Sequence, residues 1–407
     1  MANNTLNDTV RLRSGTVLKN RICKSAMNEA LGTVEGRVTQ GHVQLYRTWA
    51  QGGAGLLITG NMMVDARHAN EPMTVSVMNE RDMPLLKQWA EMGKRNNTQI
   101  WPQLSHPGKQ SPFNDAPIAP SALPLQNPMF KPPRALEHLE IETIIDQFVN
   151  TATMCEKAGF GGIQLHGAHG YLISQFLSPA HNKRTDQWGG SLENRMRFVT
   201  GIYKGIRAAT GKSFNVSIKL NSSDFQKGGF SEEDSFKVAE TLDALGMDMI
   251  EISGGSWENP VNRKGLVKES TRKREAYFLT YAEKVRSKIG AALMVTGGFR
   301  TQEGMETAVE GNAVDIVGLA RPFVMEPMIA HQVLQGNGYE STVKPISTGV
   351  KKIDDMAIME ISWYSLQMKR ISEGKKPRRK ARGIFSLIHV LYHFWRNGRA
   401  VQRVRSA

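Results

Sequence analysis

Two histidines and a tyrosine lie within six residues of one another, in the segment His166-Gly-Ala-His169-Gly-Tyr171. Two neutral imidazoles can donate hydrogen bonds to one oxygen atom, and such donors stabilise negative charge that develops on that atom during a reaction. A tyrosine, with an ordinary pKa of about 10, is a suitable acid for a neighbouring carbon. The segment therefore suits chemistry in which an oxygen gains charge and a carbon gains a proton.

The sequence alone leaves other interpretations of these three residues open. Histidines spaced three apart can ligate a metal, but the segment holds no cysteine or carboxylate, so we expect no metal there. A lone histidine or tyrosine is also more often a structural residue of a core than a catalytic group.

Further polar and glycine residues stand where short apolar runs end. They are Ser25, Ala26, Met27, Asn28, Asn61, Gln103, Lys219, Ser253, Gly254, Gly255, Gly297, Gly298, Ala320 and Arg321. Glycines at such positions let a ligand approach the backbone, or simply form tight turns. Arg321 after the last run could supply the counter-charge of a phosphate site. Lys219 could serve an anion or only reach solvent.

The runs that precede these residues predict eight strands, at 21–27, 55–59, 99–104, 162–166, 216–220, 249–253, 293–296 and 315–319. Helical periodicity predicts helices around 42–51, 84–95, 142–158, 192–209, 232–245, 276–288, 302–310 and 326–335. This alternation predicts an α/β fold, a TIM (β/α)8 barrel whose chemistry gathers at the C-terminal strand ends. An open doubly wound sheet is the second possibility. The Pro-rich stretch 107–137 is predicted to be an inserted loop.

Charge is distributed unevenly along the 407 residues, whose formal net charge is +14. Ten lysines and arginines and no acidic residue lie between 375 and the end, which leaves 42 basic against 38 acidic residues, a net +4, for the first 374. We therefore expect no nucleic-acid partner for the body. The N-terminal stretch MANNTLNDTVRLRSG has no apolar run, so we expect a cytoplasmic protein.

The C-terminal segment 383–395, GIFSLIHVLYHFW, is strongly apolar between basic flanks. Its thirteen residues make about 20 Å of helix, too short for a bilayer core of about 30 Å. We expect a basic, partly helical C-terminal extension, which either docks on the barrel or on a partner, or lies on an anionic membrane at the inner face. Binding of nucleic acid by the tail is the least favoured interpretation.

The segment that begins at His166 continues into LISQFLSP and then, from Asn182, into NKRTDQWGGSLENR. This block resembles the signature of the old yellow enzyme family of NADH:flavin oxidoreductases and FMN-dependent ene-reductases. Supporting motifs are LKNRI (18–22), PQLSHPGKQ (102–110), ISGG (252–255) and GLARPF (318–323). The resemblance covers roughly residues 6–370, which predicts an FMN-binding barrel over 1–370 and a tail over 371–407.

Several roles follow from the resemblance. FMN would bind non-covalently, with NAD(P)H as the reductant, and the cofactor-binding residues would be Ser25, Ala26, Met27, Asn28, Asn61, Gln103, Lys219, Gly298, Ala320 and Arg321. Gln103 would hold the pyrimidine edge, and Gly298, Ala320 and Arg321 would hold the phosphate. His166 and His169 would bind the substrate oxygen, and Tyr171 would give the proton. The family more often has arginine in place of Lys219, so the geometry there can differ.

The implied function is NAD(P)H-driven reduction of activated C=C bonds in α,β-unsaturated carbonyl or nitro compounds, by hydride transfer from flavin N5. Because the sequence contains no dinucleotide fingerprint, NAD(P)H and substrate would use one pocket in turn, with ping-pong kinetics. Two cysteines are too few for the iron–sulfur cluster of the larger relatives. The competing hypothesis is a catalytically silent FMN barrel that serves as a membrane- or partner-associated scaffold through its basic tail. A homo-oligomer is a further expectation.

Overall fold

Eight parallel strands close into a barrel in the computed structural model, which describes residues 4–127, 130–255, 278–344, 346, 350, 358–378 and 383–405. The strands are β1 (Ile22–Lys24), β2 (Leu56–Met63), β3 (Gln99–Ser105), β4 (Gly162–Gly167), β5 (Asn215–Asn221), β6 (Met249–Ser253), β7 (Ala292–Thr296) and β8 (Ile316–Leu319). Strand β8 pairs with β1, and β1 pairs with β2, so the sheet has no open side. The TIM-barrel prediction is confirmed, and the open sheet is excluded.

Helices follow the strands in the predicted alternation. They are α1 (Gln40–Gln51), α2 (Met83–Gly93), α3 (His138–Lys157), α4 (Leu172–Leu177), α5 (Leu192–Ala209), α6 (Glu232–Ala244), α7 (Leu279–Arg286), α8 (Gln302–Glu310), α9 (Arg321–Met325), α10 (Ile329–Leu334), α11 (Ile358–Ser372) and α12 (Gly383–Arg405). Ser231 caps α6, because its side chain accepts a hydrogen bond from Asp234 N. Residues 276–277, predicted to begin α7, lie outside the described residues.

A short N-terminal hairpin closes one end of the barrel. Its strands, Val10–Arg11 and Val17–Leu18, pair antiparallel. Val10 and Leu18 join one buried cluster with side chains inside the barrel, including Leu56 and Met249 at the N-terminal ends of β2 and β6. The remaining core fills the space between strands and helices. Because the hairpin fills the N-terminal end, the C-terminal strand ends are the open face.

The loop after β3 is largely irregular, as predicted. Its one short ladder pairs Ile118–Ala119 with Arg134–Ala135, and residues 128–129 lie outside the described part. Both cysteines, Cys23 and Cys155, are buried and free.

The two C-terminal helices pack in series on the barrel. Helix α11 packs against α1 and α9, and α12 packs against α11. The sequence left open whether the tail docks or lies on a membrane, and one face of α12 is indeed docked. No helix in the described ranges is both long enough and apolar enough to cross a bilayer.

Candidate active site

A line of polar side chains crosses four neighbouring strands inside the barrel. Gln103 Nε2 on β3 donates to Gln164 Oε1 on β4 at 2.7 Å, and Gln164 Nε2 donates to Glu251 Oε2 on β6 at 2.7 Å. Lys219 Nζ on β5 lies 2.9 Å from Glu251 Oε1, and the Lys219 side chain is only 5% exposed. Gln103 and Lys219, both predicted site residues, are therefore linked through Gln164 and through the buried ion pair of Lys219 with Glu251.

The sequence reasoning missed two members of this line, Gln164 and Glu251. A signal for them exists in the strand period of two, because side chains two apart in a strand point to the same face. Gln164 stands two residues before His166, and Glu251 two before Ser253, so both face the barrel interior. Polar residues at those positions inside otherwise apolar runs mark the network.

The predicted histidines and tyrosine meet at the end of β4. The ring centroids of His166 and His169 lie 5.2 Å apart, and those of His166 and Tyr171 lie 4.6 Å apart. Ala168 N donates to His166 Nδ1 at 3.4 Å, which leaves the proton on Nε2. His169 Nε2 lies 2.8 Å from Ser253 Oγ.

His169 has a left-handed backbone, with φ of 60°. A non-glycine residue adopts this conformation only where its surroundings hold it there. Asn221 Oδ1 does so by accepting a hydrogen bond from His169 N at 3.2 Å. The turn directs the second imidazole back toward the first, so the two rings share one face of the site.

Burial keeps all three groups uncharged. It lowers the pKa of His166 well below its usual value, with further contributions from His169 and Lys219. Burial, and then the Lys219 charge, lower the pKa of His169 to about 3. Burial, and then the Glu71 charge, raise the pKa of Tyr171 above its usual range. At neutral pH the site therefore presents two neutral imidazoles and a protonated phenol.

A second polar group surrounds the tyrosine. Asn70 Nδ2 donates to Tyr171 Oη at 2.9 Å, and Asn28 Nδ2 donates to Glu71 Oε2 at 2.6 Å. Burial raises the pKa of Glu71 to about 7. The Asn61 Oδ1 atom is buried without a hydrogen-bond partner among the described residues, so it can accept from a ligand. Asn70 and Glu71, in a loop after β2, were not predicted.

The predicted phosphate site lies where β7, β8 and β1 end. Gly297 and Gly298 have φ of 110° and 99°, a left-handed backbone that other residues rarely adopt. Arg321 begins α9 directly after Ala320. Its guanidinium is bound by Glu360 of α11, at 3.1 Å between Nη1 and Oε2. Gly297 and Gly298 after β7 and Arg321 after β8 thus lie at neighbouring strand ends. Glu360 is the ion-pair partner of Arg321.

A buried cluster of Asp65, His68 and His106 stands beside the site, with its ligand-type atoms within 4.8 Å of one another. Gly108 N donates to His106 Nδ1 at 3.1 Å, and Asn114 Nδ2 lies 2.9 Å from His68 Nδ1. Asn114 Nδ2 also donates to a backbone carbonyl, so it is the donor in this pair too. Both imidazoles therefore carry their proton on Nε2. His106 Nε2 is buried without a hydrogen-bond partner among the described residues, so the three side chains are close together but not joined by hydrogen bonds of their own.

A closed parallel barrel with buried polar side chains toward its C-terminal strand ends is typical of TIM-barrel enzymes. Comparisons with known proteins agree with this class. Residues 10–339 match the NADH:flavin oxidoreductase / NADH oxidase family. The chain belongs to this family.

Two curated relatives are named NADH-dependent flavin oxidoreductase iliE. The one from Hypocrea jecorina (strain QM6a) is 34% identical over 354 residues, which cover 80% of this chain and 88% of the relative. The one from Neonectria sp. (strain DH2) is 35% identical over 352 residues, which cover 79% of this chain but only 46% of that longer relative. An old yellow enzyme homologue from Zymomonas mobilis has a TM-score of 0.69 at 21% identity, covering 84% of this chain and 95% of that one. This last similarity supports the fold alone.

Family membership makes the protein an oxidoreductase that uses FMN together with NADH or NADPH. The residues present fit such a cofactor. Asn61 offers a buried acceptor without a partner, Lys219 offers a buried cation, and the two left-handed glycines leave backbone uncovered by side chains. Arg321 supplies positive charge at the same end of the barrel.

Proposed function

We propose that this protein reduces activated C=C bonds of α,β-unsaturated carbonyl or nitro compounds, with NAD(P)H as the electron source. The observation that carries the proposal is the cluster of His166, His169 and Tyr171, in which two neutral imidazoles and a protonated phenol face one another. Bound FMN would supply the hydride-transfer chemistry that links NAD(P)H to the substrate.

The two histidines bind the substrate oxygen. His166 keeps its proton on Nε2 and can donate it in a hydrogen bond. If the Ser253 hydroxyl donates to His169 Nε2, the proton of His169 stays on Nδ1, which then faces the oxygen as a donor. Negative charge grows on that oxygen as the β-carbon is reduced, so both hydrogen bonds strengthen in the transition state.

Tyr171 supplies the proton to the α-carbon. Its phenol stays protonated because burial raises its pKa, and Asn70 holds the hydroxyl oxygen with a donated hydrogen bond at 2.9 Å. A hydroxyl that accepts from Asn70 has its own proton free for the substrate. Positioned proton transfer of this kind contributes a factor of about 10² to 10⁴ in rate.

Other residues serve the cofactor in this proposal. Lys219 and Gln103 would hold the pyrimidine end of the flavin, and the backbone of Ser25, Ala26, Met27 and Asn28 would contact the ring. Asn61 would accept a hydrogen bond, and Gly298, Ala320 and Arg321 would hold the phosphate. The Asn28 amide already donates to Glu71, so we assign it the task of fixing the strand end rather than binding flavin directly.

Separate measurement of the two half-reactions tests the proposal. Purified protein should be yellow and release FMN on heating. The His166→Ala variant should reduce an enone at least tenfold more slowly and bind phenols more weakly, while its reduction by NAD(P)H stays near the wild-type rate. Tyr171→Phe should slow the enone step without weakening phenol binding as much. Equal losses in both half-reactions, or protein that never binds FMN, would refute the assignment.

A further inference from the structure

An apolar stripe runs along the outer face of helix α12. Its members, all more than half exposed, are Ile384, Phe385, Ile388, Leu391, Tyr392 and Trp395. They recur three or four residues apart, the spacing that places side chains on one face of a helix. These six make up half of the large hydrophobic side chains that are exposed in the described part of the chain. The stripe is therefore one continuous patch.

The opposite face of α12 is fixed to the rest of the protein. Ser386 is buried, and His389 Nδ1 lies 3.3 Å from Ser362 Oγ of α11. At Gly398 the helix passes so close to the loop after β3 that an added Cβ would lie 3.1 Å from the Phe113 ring. These contacts hold α12 in one orientation, so the stripe faces outward.

The charged residues of the segment 375–407 are all basic, and Lys375 pairs with the exposed Glu373 just before this segment. Residues 375–407 contain ten lysines and arginines and no acidic residue. Lys375, Lys376, Arg378 and Arg396 are exposed. Arg396 also donates to Tyr392 Oη at 3.0 Å, which ties a cation to the edge of the stripe. Aromatic and aliphatic side chains bordered by cations complement the interface of an anionic bilayer.

We infer that α12 lies flat in the surface of an anionic membrane, with Ile388, Leu391 and Trp395 in the lipid and the basic residues among the headgroups. The helix does not span the bilayer, since no helix of the described chain has the length and apolarity to do so. The occupant of the stripe is thus a lipid surface containing acidic headgroups.

The same contacts place the membrane beside the active site. Phe113 lies two residues after Ser111, and Ser111 Oγ donates to Ala69 O at 3.1 Å. The residue after Ala69 is Asn70, whose side chain donates a hydrogen bond to Tyr171 Oη. On the other side, α11 carries Glu360, which binds Arg321. Helix α12 therefore lies at the open end of the barrel. It follows, on the basis of the proposed function, that the substrates include long-chain enones that partition into lipid.

Co-sedimentation of the full-length holoprotein with vesicles tests the membrane part. Vesicles of phosphatidylcholine with phosphatidylglycerol should bind the protein, while pure phosphatidylcholine vesicles should bind it at least tenfold less. Leu391→Glu, with Ile388→Glu as a second variant, should lower binding at least tenfold and keep the wild-type FMN content. Leu139→Glu is the matched control, because Leu139 is an exposed leucine on α3, outside the stripe.

Three outcomes would overturn the inference. The first is an absence of vesicle binding by the wild type. The second is binding that needs acidic lipid but is unaffected by Leu391→Glu, which would indicate adsorption by charge alone. The third is a change from dimer to monomer in Leu391→Glu without any vesicle binding, which would make the stripe an interface between two copies.

Two enones separate the substrate part from the proposed function. Anionic vesicles should raise the wild-type rate with a long-chain vinyl ketone several-fold and leave the rate with water-soluble cyclohexenone unchanged. Leu391→Glu should lose that stimulation and keep the cyclohexenone rate. Equal stimulation of both enones, or of neither, would refute the substrate class. If the wild type reduces neither enone, the proposed function fails, while vesicle binding is judged independently.

Discussion

At the scale of single residues, the site depends on keeping ionisable groups neutral. His169, with its pKa lowered to about 3, is uncharged above that pH. Tyr171, with its pKa raised, stays protonated below its own high pKa. His169 is therefore neutral, and Tyr171 protonated, at every pH between these two pKa values. For His169, burial and the Lys219 cation both disfavour a second positive charge. For Tyr171, burial and the Glu71 charge disfavour the phenolate.

The enone half-reaction should accordingly be independent of pH. We expect single-turnover oxidation of the reduced enzyme by an enone to vary less than twofold between about pH 5 and about pH 9, the range in which ordinary histidines titrate. Stopped-flow absorbance measures this rate directly. Glu71 also titrates in this range, because burial raises its pKa to about 7 and its charge acts on Tyr171. A kinetic pKa near about 6.5 that persists in Glu71→Gln would show that one of the histidines becomes protonated in the site.

The buried pair of Lys219 and Glu251 should set the electron affinity of the flavin. In Glu251→Gln the lysine charge is no longer neutralised, so it stabilises reduced, anionic flavin, and the midpoint potential should rise by tens of millivolts. For a two-electron couple, about 30 mV corresponds to about 1.4 kcal/mol. Lys219→Met should lower the potential, because the carboxylate then stands alone. Dye equilibration measures both values, and a shift of the same sign in the two variants would contradict this role.

The same substitution should cost stability. Removal of one partner of a buried ion pair leaves an unpaired charge, and such losses are about 3–5 kcal/mol. The unfolding free energy of Glu251→Gln should therefore fall by that amount, while a substitution at the exposed pair of Lys157 and Glu80 should change it by less than about 1 kcal/mol.

At the scale of elements, β2 fixes the segment that follows β1. Gly60 N donates to Glu29 Oε1 at 2.7 Å. A Cβ on Gly60 would lie 2.5 Å from Met27 O and 2.7 Å from Asn28 Cα, both of which are backbone atoms. Only glycine permits this approach, and it brings the predicted flavin-facing stretch against the neighbouring strand.

Gly60→Ala should therefore displace Met27 and Asn28. We expect the FMN dissociation constant to rise at least tenfold and the unfolding free energy to fall by about 1–3 kcal/mol, the usual cost of overpacking. Flavin fluorescence and denaturant titration measure the two quantities. Gly211→Ala is the control, because its Cβ would meet nothing closer than 3.4 Å. Wild-type FMN affinity in Gly60→Ala would contradict the argument.

Helix α11 brings Glu360 to Arg321, where it would compete with the proposed phosphate for the same guanidinium. Glu360→Gln removes a negative charge beside the phosphate site, so FMN should bind the apoprotein several-fold more tightly at low ionic strength. Added salt should reduce the gain, because the pair is about one-third exposed. Weaker binding in Glu360→Gln would show instead that the glutamate positions Arg321.

The elements could be predicted from the sequence because the barrel strands are mainly apolar runs separated by helical patterns, and the runs at 249–253 and 99–104 match β6 and β3 within one residue. The strand period places Gln164 and Glu251 on the interior face, but their partners come from strands far apart in sequence, so only the structure shows which side chains they bond. Asn70 and Glu71 lie in a loop whose path is set by tertiary contacts. The stripe on α12 needed the structure too, because the sequence does not show which face is docked.

At the scale of the whole molecule, the barrel offers one end for ligands. The N-terminal hairpin fills the other end with buried side chains such as Val10 and Leu18. The polar groups proposed for cofactor and substrate all lie at the C-terminal strand ends. We therefore expect NAD(P)H and the acceptor to occupy the same pocket in turn.

This arrangement predicts ping-pong kinetics. Double-reciprocal plots of rate against NAD(P)H concentration at several enone concentrations should be parallel, because the first product leaves before the second substrate enters. A phenol that hydrogen-bonds to His166 and His169 should inhibit both half-reactions, since it fills the shared pocket. His166→Ala should weaken that inhibition equally against either substrate. Intersecting plots, or a phenol that blocks only the enone step, would require a second binding site for the reductant, away from the strand ends.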